Sequence, residues 1–260
     1  AFKWSTNFNI AFNKGKVTDI QKQIIEGGVS NMNRVEEGYN VGVFFTPEFA
    51  GVDPNNGDAL FYKNKKGEDG KLDRSTTNKY SEAERVVVGD PNPDLIFGFT
   101  NNFSYKGFDL SVFFNGVRGN QNNIYGMGRY SSASMLYEDN NTADQLRRWQ
   151  KVGDVTDIPQ VRLYSTNGSQ ASSRYIVDGS YVRLRSVTFG YSIAGSMLRK
   201  YKIEKLRVYV SGQNLLTFTK YPYWDPEVKA DSFDSNIAKG NDFYTPPQPK
   251  TILFGINVSL

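Results

Sequence analysis

The chain has 260 residues, 14% of them aromatic, a net charge of +4 and neither cysteine nor histidine, yet its mean hydropathy is polar. This excludes disulfides and thiolate metal sites, removes the usual general base and commonest metal ligand, and leaves too little charge for a nucleic-acid binder. With 18 Phe and 16 Tyr diluted into a polar average, the apolar residues are expected to alternate along strands rather than gather in helices.

The amino-terminal Ala1-Phe2-Lys3-Trp4-Ser5 has no charged or apolar leader region and reads as the middle of a strand. Phe2, Trp4, Thr6, Phe8, Ile10 and Phe12 alternate with smaller residues, a period of two. A turn is expected at Asn13-Lys14-Gly15-Lys16, then a weaker strand from Val17 to Ile25. Asp53-Pro54-Asn55-Asn56-Gly57-Asp58 has the residue types of a calcium loop but not its spaced acidic ligands. Pro, Asn and Gly at these offsets make a turn more simply. Gly67-Glu68-Asp69-Gly70 is a second turn, and Lys65 and Lys66 would oppose a cation there.

Phe97, Phe99, Asn101, Phe103 and Tyr105 form the next run. A tight Lys106-Gly107 turn leads into Phe108, Leu110, Val112 and Phe114, opposite Asp109, Ser111, Phe113 and Asn115. The segment from Asn120 to Ser173 is rich in Asn, Ser, Gly and Tyr, including Tyr125, Tyr130 and Tyr137, and suits a polar vestibule or an outer covering equally. Within it, Thr142 to Lys151 is expected to be a short helix that packs inside the loop. Thr142 and Gln145 would form its capping box, and Leu146 and Trp149 would share a face.

Arg183 and Arg185 share the parity of Val187 and should mark the upper edge of a lipid-facing band. A cation there costs little, against about 2–4 kcal/mol at mid-depth. Val187, Phe189, Tyr191 and Ile193 continue the alternation, as do Leu206, Val208, Val210, Gly212, Leu216 and Phe218. After them, Tyr221, Tyr223, Trp224 and Phe233 lie among Asp225, Glu227, Asp231 and Asp234. Aromatic faces beside carboxylates suit sugar rings, so Tyr221, Tyr223, Trp224 and Asp225 are the candidate substrate-binding residues. The other reading of the same group is rim, girdle or partner contact. The last strand carries Ile252, Phe254, Ile256, Val258 and Leu260 on one face.

About seven strands result, joined by links that alternate between short (near 13–16, 106–107 and 194–204) and long (near 26–94, 119–180 and 221–249). Long unstructured links are uncommon in compact soluble domains. Their alternation with short ones is the asymmetry of outer-membrane β-barrels, with turns in the periplasm and loops outside. The last strand then descends to a periplasmic carboxyl terminus. Counting back, the first strand descends and Val17–Ile25 ascends. Tyr105 with Phe108, and Tyr191 with Tyr201, flank short turns as girdle aromatics would. The expected class is therefore all-β, an antiparallel transmembrane β-barrel segment with long extracellular loops. Open edges are not tolerated in lipid, so the remaining strands must come from elsewhere, most simply from an upstream part of the same polypeptide. A soluble all-β binding module is the alternative.

Several segments, taken in order, carry a resemblance: Gly89-Asp90-Pro91-Asn92-Pro93-Asp94 before Phe97-Gly98-Phe99-Thr100-Asn101-Asn102, then Tyr105-Lys106-Gly107-Phe108-Asp109-Leu110-Ser111. Arg148-Trp149 and Asp154-Val155-Thr156-Asp157-Ile158-Pro159 follow. Then come Ser172 to Leu184 and Leu206-Arg207-Val208-Tyr209-Val210-Ser211-Gly212-Gln213-Asn214-Leu215-Leu216-Thr217. Together they resemble the carboxyl-terminal part of the SusC/RagA family of TonB-dependent transporters. The resemblance implies a barrel of about 22 strands, of which these are the last. It implies a plug and a TonB-contacting segment outside these 260 residues, and a SusD-like lipoprotein partner. It implies a cargo of oligosaccharide, or otherwise oligopeptide, taken up across the outer membrane. No cofactor, metal or catalytic role is expected. Secretion or barrel assembly is a third reading. The family's final residue is usually aromatic; here it is Leu260, which would weaken the assembly signal of the last strand.

Overall fold

A computed structural model describes residues 1–131, 140–162, 165, 167–193, 198, 200, 202–228 and 236–260. Tyr137, Tyr201, Asp231, Phe233 and Asp234 lie outside the described residues. The principal element is one antiparallel sheet of six strands in chain order. These are β1 (Lys3–Phe12), β2 (Leu95–Tyr105), β3 (Phe108–Arg118), β4 (Tyr181–Ile193), β5 (Lys205–Thr219) and β6 (Thr251–Ser259).

The expected strand at Val17–Ile25 does not form, which makes six strands in the sheet instead of seven. Its apolar residues fall at 17, 20, 24 and 25, which is not a period of two. Asp19 accepts a hydrogen bond from the Gln21 amide, and Gln21 and Lys22 adopt positive φ, so the backbone turns there. Only Ile25–Gly27 pairs, in a separate small sheet. Asn13–Lys16 is therefore the start of a long connection and not a short turn. β1 pairs directly with β2, Phe8 opposite Phe99, and runs opposite to the direction expected of it. The correction tightens the pattern. All three long connections (13–94, 119–180 and 220–250) leave one end of the sheet, and both short ones leave the other. At the Lys106-Gly107 hairpin both residues have positive φ, as a two-residue turn between twisted strands requires.

One face of the sheet is predominantly apolar across all six strands, with Thr6 and Asn101 as a bonded polar pair within it. Successive ladders place Trp4, Phe103, Leu110, Phe189, Val210 and Phe254 in one row across the six strands. Phe8, Phe99, Phe114, Leu184 and Leu216 form the row nearer the loops. These side chains have no protein covering: Phe254 is 84% exposed and Trp4 64%. The opposite face is polar. Arg207 reaches across β4 to a bidentate pair with Asp109, its Nε 2.9 Å from Oδ1. Gly190 lies beneath this bridge, and a Cβ there would fall 2.6 Å from the Arg207 guanidinium. Thr188 and Ser211 share a hydrogen bond of 2.8 Å beside it.

The buried apolar residues lie elsewhere. Val29, Met32, Val43, Phe44, Ala59, Phe61, Ile124 and Trp149 are buried, and all belong to the long connections. Those connections carry their own β-structure. Ile25–Gly27, Asn33–Val35, Val43–Pro47 and Arg85–Gly89 form a four-stranded sheet, and Phe49–Val52, Ala59–Tyr62 and Thr76–Thr77 a three-stranded one. Gln121–Asn123 pairs with Ile176–Asp178. The loop layer thus has a buried apolar interior of its own, whereas the apolar face of the six-stranded sheet is uncovered.

Three buried asparagines, one from each long connection, tie the layer together. Asn241 donates to Asn33 Oδ1 at 2.7 Å, and Asn123 donates to Asn241 Oδ1 at 2.8 Å. Asn33 in turn donates to the carbonyls of Gly42 and Lys239. Asn241→Ala strands an acceptor on Asn33 and a donor on Asn123, each costing about 1–3 kcal/mol when buried. Amide exchange should then quicken together in residues 28–44, 121–124 and 238–242. Quickening confined to 238–242 would show the three connections to be independent.

Two expectations are corrected. A β-bulge at Arg185 shifts the register of β4 between Leu184 and Ser186 and reverses the parity above it. Arg183 consequently lies on the polar side with Thr188, is 1% exposed, and does not mark a lipid boundary. The helix expected over Thr142–Lys151 is a single short 3-10 helix, Ala143–Arg147, with no side-chain cap bond from Thr142. Arg148 is already extended, so Leu146 and Trp149 do not share a face. Leu146 is exposed, whereas Trp149 is buried over Gly57 and donates to the Pro54 carbonyl at 3.1 Å.

Candidate functional site

The connection 220–250 stands against the top of β4 and β5. Its first residues divide into two pairs. Tyr221 is buried with Ile124 and Tyr175, and its hydroxyl donates to the Asp242 carboxylate. Burial first, and then Asp242, push its phenol far above the ordinary range. Burial does the same to Tyr175. Asp225 is also buried: its Oδ1 accepts from Arg183 Nη2 at 2.5 Å and from the Glu227 amide at 2.9 Å. Its Oδ2 accepts from the Gln248 amide at 3.1 Å. Glu227 Oε2 takes both Arg183 and Arg185 at 3.1 Å. Two of the four candidate binding residues therefore hold the loop in place and do not present their polar groups.

The other two are accessible. Trp224 is 53% exposed, and Tyr223 borders a cleft of about 180 Å³. Tyr223 donates to Asp144 at 3.2 Å, and Arg147, Asp157 and Arg174 complete the charged part of the wall, with the neutral Tyr175 beside them. Arg147 pairs with Asp144 at 3.5 Å and with Asp157 at 3.4 Å. Asp144 and Arg147 are three residues apart on one 3-10 helix, but nothing in the sequence places Asp157 and Arg174 beside them.

Two of the tyrosines noted in the Asn120–Ser173 segment belong to a second aromatic group, completed from the neighbouring connection. Tyr125 and Tyr130 open and close a π-helix, and both pack against Phe243 from the neighbouring connection, with ring centroids 5.6 and 6.2 Å away. The Arg129 guanidinium lies 5.2 Å from the Tyr125 ring. The Asp53–Asp58 segment is a turn: the Gly57 amide bonds to the Asp53 carbonyl, and the Asp58 carboxylate pairs with Arg162. Among the described residues no cluster of three or more acidic residues could hold a metal ion.

No family model matches the chain. Full-length relatives do. It is 33% identical over 273 residues to TonB-dependent receptor P3 of Formosa agariphila, with 99% of this chain and 27% of that one covered. It is 25% identical to TonB-dependent receptor SusC of Bacteroides thetaiotaomicron, with 100% of this chain and 24% of that one covered. In three dimensions it superposes on the structure of the RagAB peptide transporter with a TM-score of 0.79 at 24% identity, again over 99% of this chain and 27% of that one. The chain thus spans about a quarter of the length of each protein it matches.

Proposed function

Because this chain belongs to the SusC/RagA family of TonB-dependent receptors, we propose that it is the carboxyl-terminal wall and loop layer of an outer-membrane importer of large nutrients, oligosaccharides first. The observation that carries this reading is the single apolar face running uncovered across all six strands, with every long connection at one end. Its height fits a membrane. From Phe108 to Arg118 is ten residue steps, about 34 Å along the strand, or about 26 Å of height at a tilt of about 40°. The outward apolar band of such barrels is about 25 Å tall. Tyr105, Phe108 and Tyr191 cluster at the lower boundary, the last two with ring centroids 4.6 Å apart.

In this reading the loops face outward and β6 descends to the periplasm. The free edges of β1 and β6 pair with strands from the rest of the polypeptide. A plug from the same polypeptide conveys the work of TonB, and a SusD-like lipoprotein covers the loop layer. Trp224 and Tyr223 contact cargo, while Tyr221 and Asp225 hold the segment that carries them.

Uptake of labelled oligosaccharides by cells with the full-length gene tests this. Trp224→Ala should raise the half-saturation concentration about two- to thirteenfold, the loss of one aromatic contact of about 0.5–1.5 kcal/mol. Unchanged half-saturation would remove Trp224 from the site. The charged cleft favours a second cargo, an oligopeptide, whose termini Arg147, Arg174, Asp144 and Asp157 complement. Peptide uptake lost in Arg147→Ala, with no glycan uptake at all, would establish that cargo instead.

A further inference from the structure

At the loop-bearing end, the outward apolar face is interrupted by a groove of about 690 Å³. The volume falls in the range of about 300–1,000 Å³ typical of small-molecule clefts. Its walls are Phe8, Ile10, Leu95 and Phe97 on one side and Val182 and Phe218 on the other. The gap arises at Gly116, which lies in the same ladder as Phe97 and Val182 and contributes no side chain. The Phe97 ring lies across it, so close that a Cβ on Gly116 would fall 2.2 Å from Cε1.

The rim is charged. Arg118 closes β3 opposite Leu95, on the outward parity of Phe114 and Gly116. Lys220 follows β5 on the outward parity of Leu216 and Phe218. Val117, Tyr181 and Thr219 share one ladder, so Arg118 and Lys220 hold the same register position at the loop-bearing end, two strand spacings or about 10 Å apart. Both are exposed, and neither side chain has an ion-pair or hydrogen-bond partner among the described residues. The third charged group, Asp178, folds back to accept from the Ser180 amide at 2.9 Å.

We propose that this groove is a binding site for an anionic, phosphate-bearing membrane lipid, with one acyl chain between the Ile10–Phe97 wall and the Val182–Phe218 wall and the headgroup phosphate between Arg118 and Lys220. The occupant follows from what meets at the rim. An apolar slot opening onto the lipid side ends, at the height of the bilayer surface, on two unpaired cations. Cations near an anionic lipid surface attract it, and bare apolar slots in this face are filled by the acyl chains around them. The inference rests on the membrane reading above and names a ligand that reading does not require.

The full-length protein in phosphatidylcholine nanodiscs containing a minor fraction of phosphatidylglycerol tests it, with retained lipid counted by native mass spectrometry. The unaltered protein should keep phosphatidylglycerol in preference to phosphatidylcholine. Arg118→Glu with Lys220→Glu should lower that retention about tenfold or more. Val182→Trp, which fills the slot and leaves both cations, should lower it as well; heat-modifiable mobility checks that each variant is folded. Equal retention of the two lipids, or no change in either variant, overturns the lipid site while leaving the importer standing. Recovery of the protein from the aqueous fraction without detergent overturns both.

Discussion

Asp225→Ala in the full-length protein is expected to make the connection 221–249 open about two to three and a half powers of ten more often, as read by amide exchange in detergent. The reason is Arg183. Its guanidinium is 1% exposed and held by Asp225 and Glu227. Removing one partner of a buried ion pair costs about 3–5 kcal/mol, because the other charge is left without compensation. Glu227 remains, but it is shared with Arg185 and is itself more open to water. The backbone loses two further acceptor contacts, from the Glu227 and Gln248 amides. Replacing the pair together, Arg183→Met with Asp225→Leu, should recover much of the loss, since an apolar pair of similar volume avoids the desolvation cost. Exchange within threefold of the unaltered protein in Asp225→Ala would show that the network does not hold this loop. If the network does hold it, Trp224 should lose cargo affinity in Asp225→Ala although Asp225 is buried.

That distinction between holding and contacting could not be read from the residues. Tyr221, Tyr223, Trp224 and Asp225 look alike in sequence as an aromatic and acidic cluster. Which of them is exposed depends on Arg183 and Asp242, residues 42 and 21 positions away from their partners. The true parity of Arg183 is hidden in the sequence for a related reason. Alternation reports the facing of a side chain only while the ladder is unbroken, and one inserted residue at Arg185 reverses it. The spurious strand at Val17–Ile25 failed on a local conflict. Its β-prone composition was not matched by alternation, and the Asp19 turn prevailed. What was legible was the outward face of the six real strands. Each of them keeps the period of two over most of its length, and the facing of its side chains follows from that period. The loop layer was legible only as length, since its order comes from contacts such as Asn33–Asn241 that span more than 200 positions.

Phe114→Arg tests the outward face at its deepest point. Phe114 sits in the middle row, between Phe99 and Leu184. It lies six residue steps from Phe108, about 20 Å along the strand, or about 15 Å of height at a tilt of about 40°. A cation at that depth on a lipid-facing strand costs about 2–4 kcal/mol, falling to about 0–1 at the boundary. Tyr191→Arg, on the same face but beside the short turn, should therefore be nearly silent. Asn102→Arg, on the polar face opposite Ser5 and Ser111, should be silent as well. Unfolding of the full-length protein from lipid vesicles in denaturant measures all three. The gradient with depth is the discriminating result, because only a bilayer grades the cost of one substitution by height on one face. In a soluble module whose apolar face met water, arginine at Phe114 would cost nothing and raise solubility. Packed against another protein layer, it would cost as much at Tyr191 as at Phe114. Equal costs at the two positions, or none at either, would therefore end the membrane reading of this sheet.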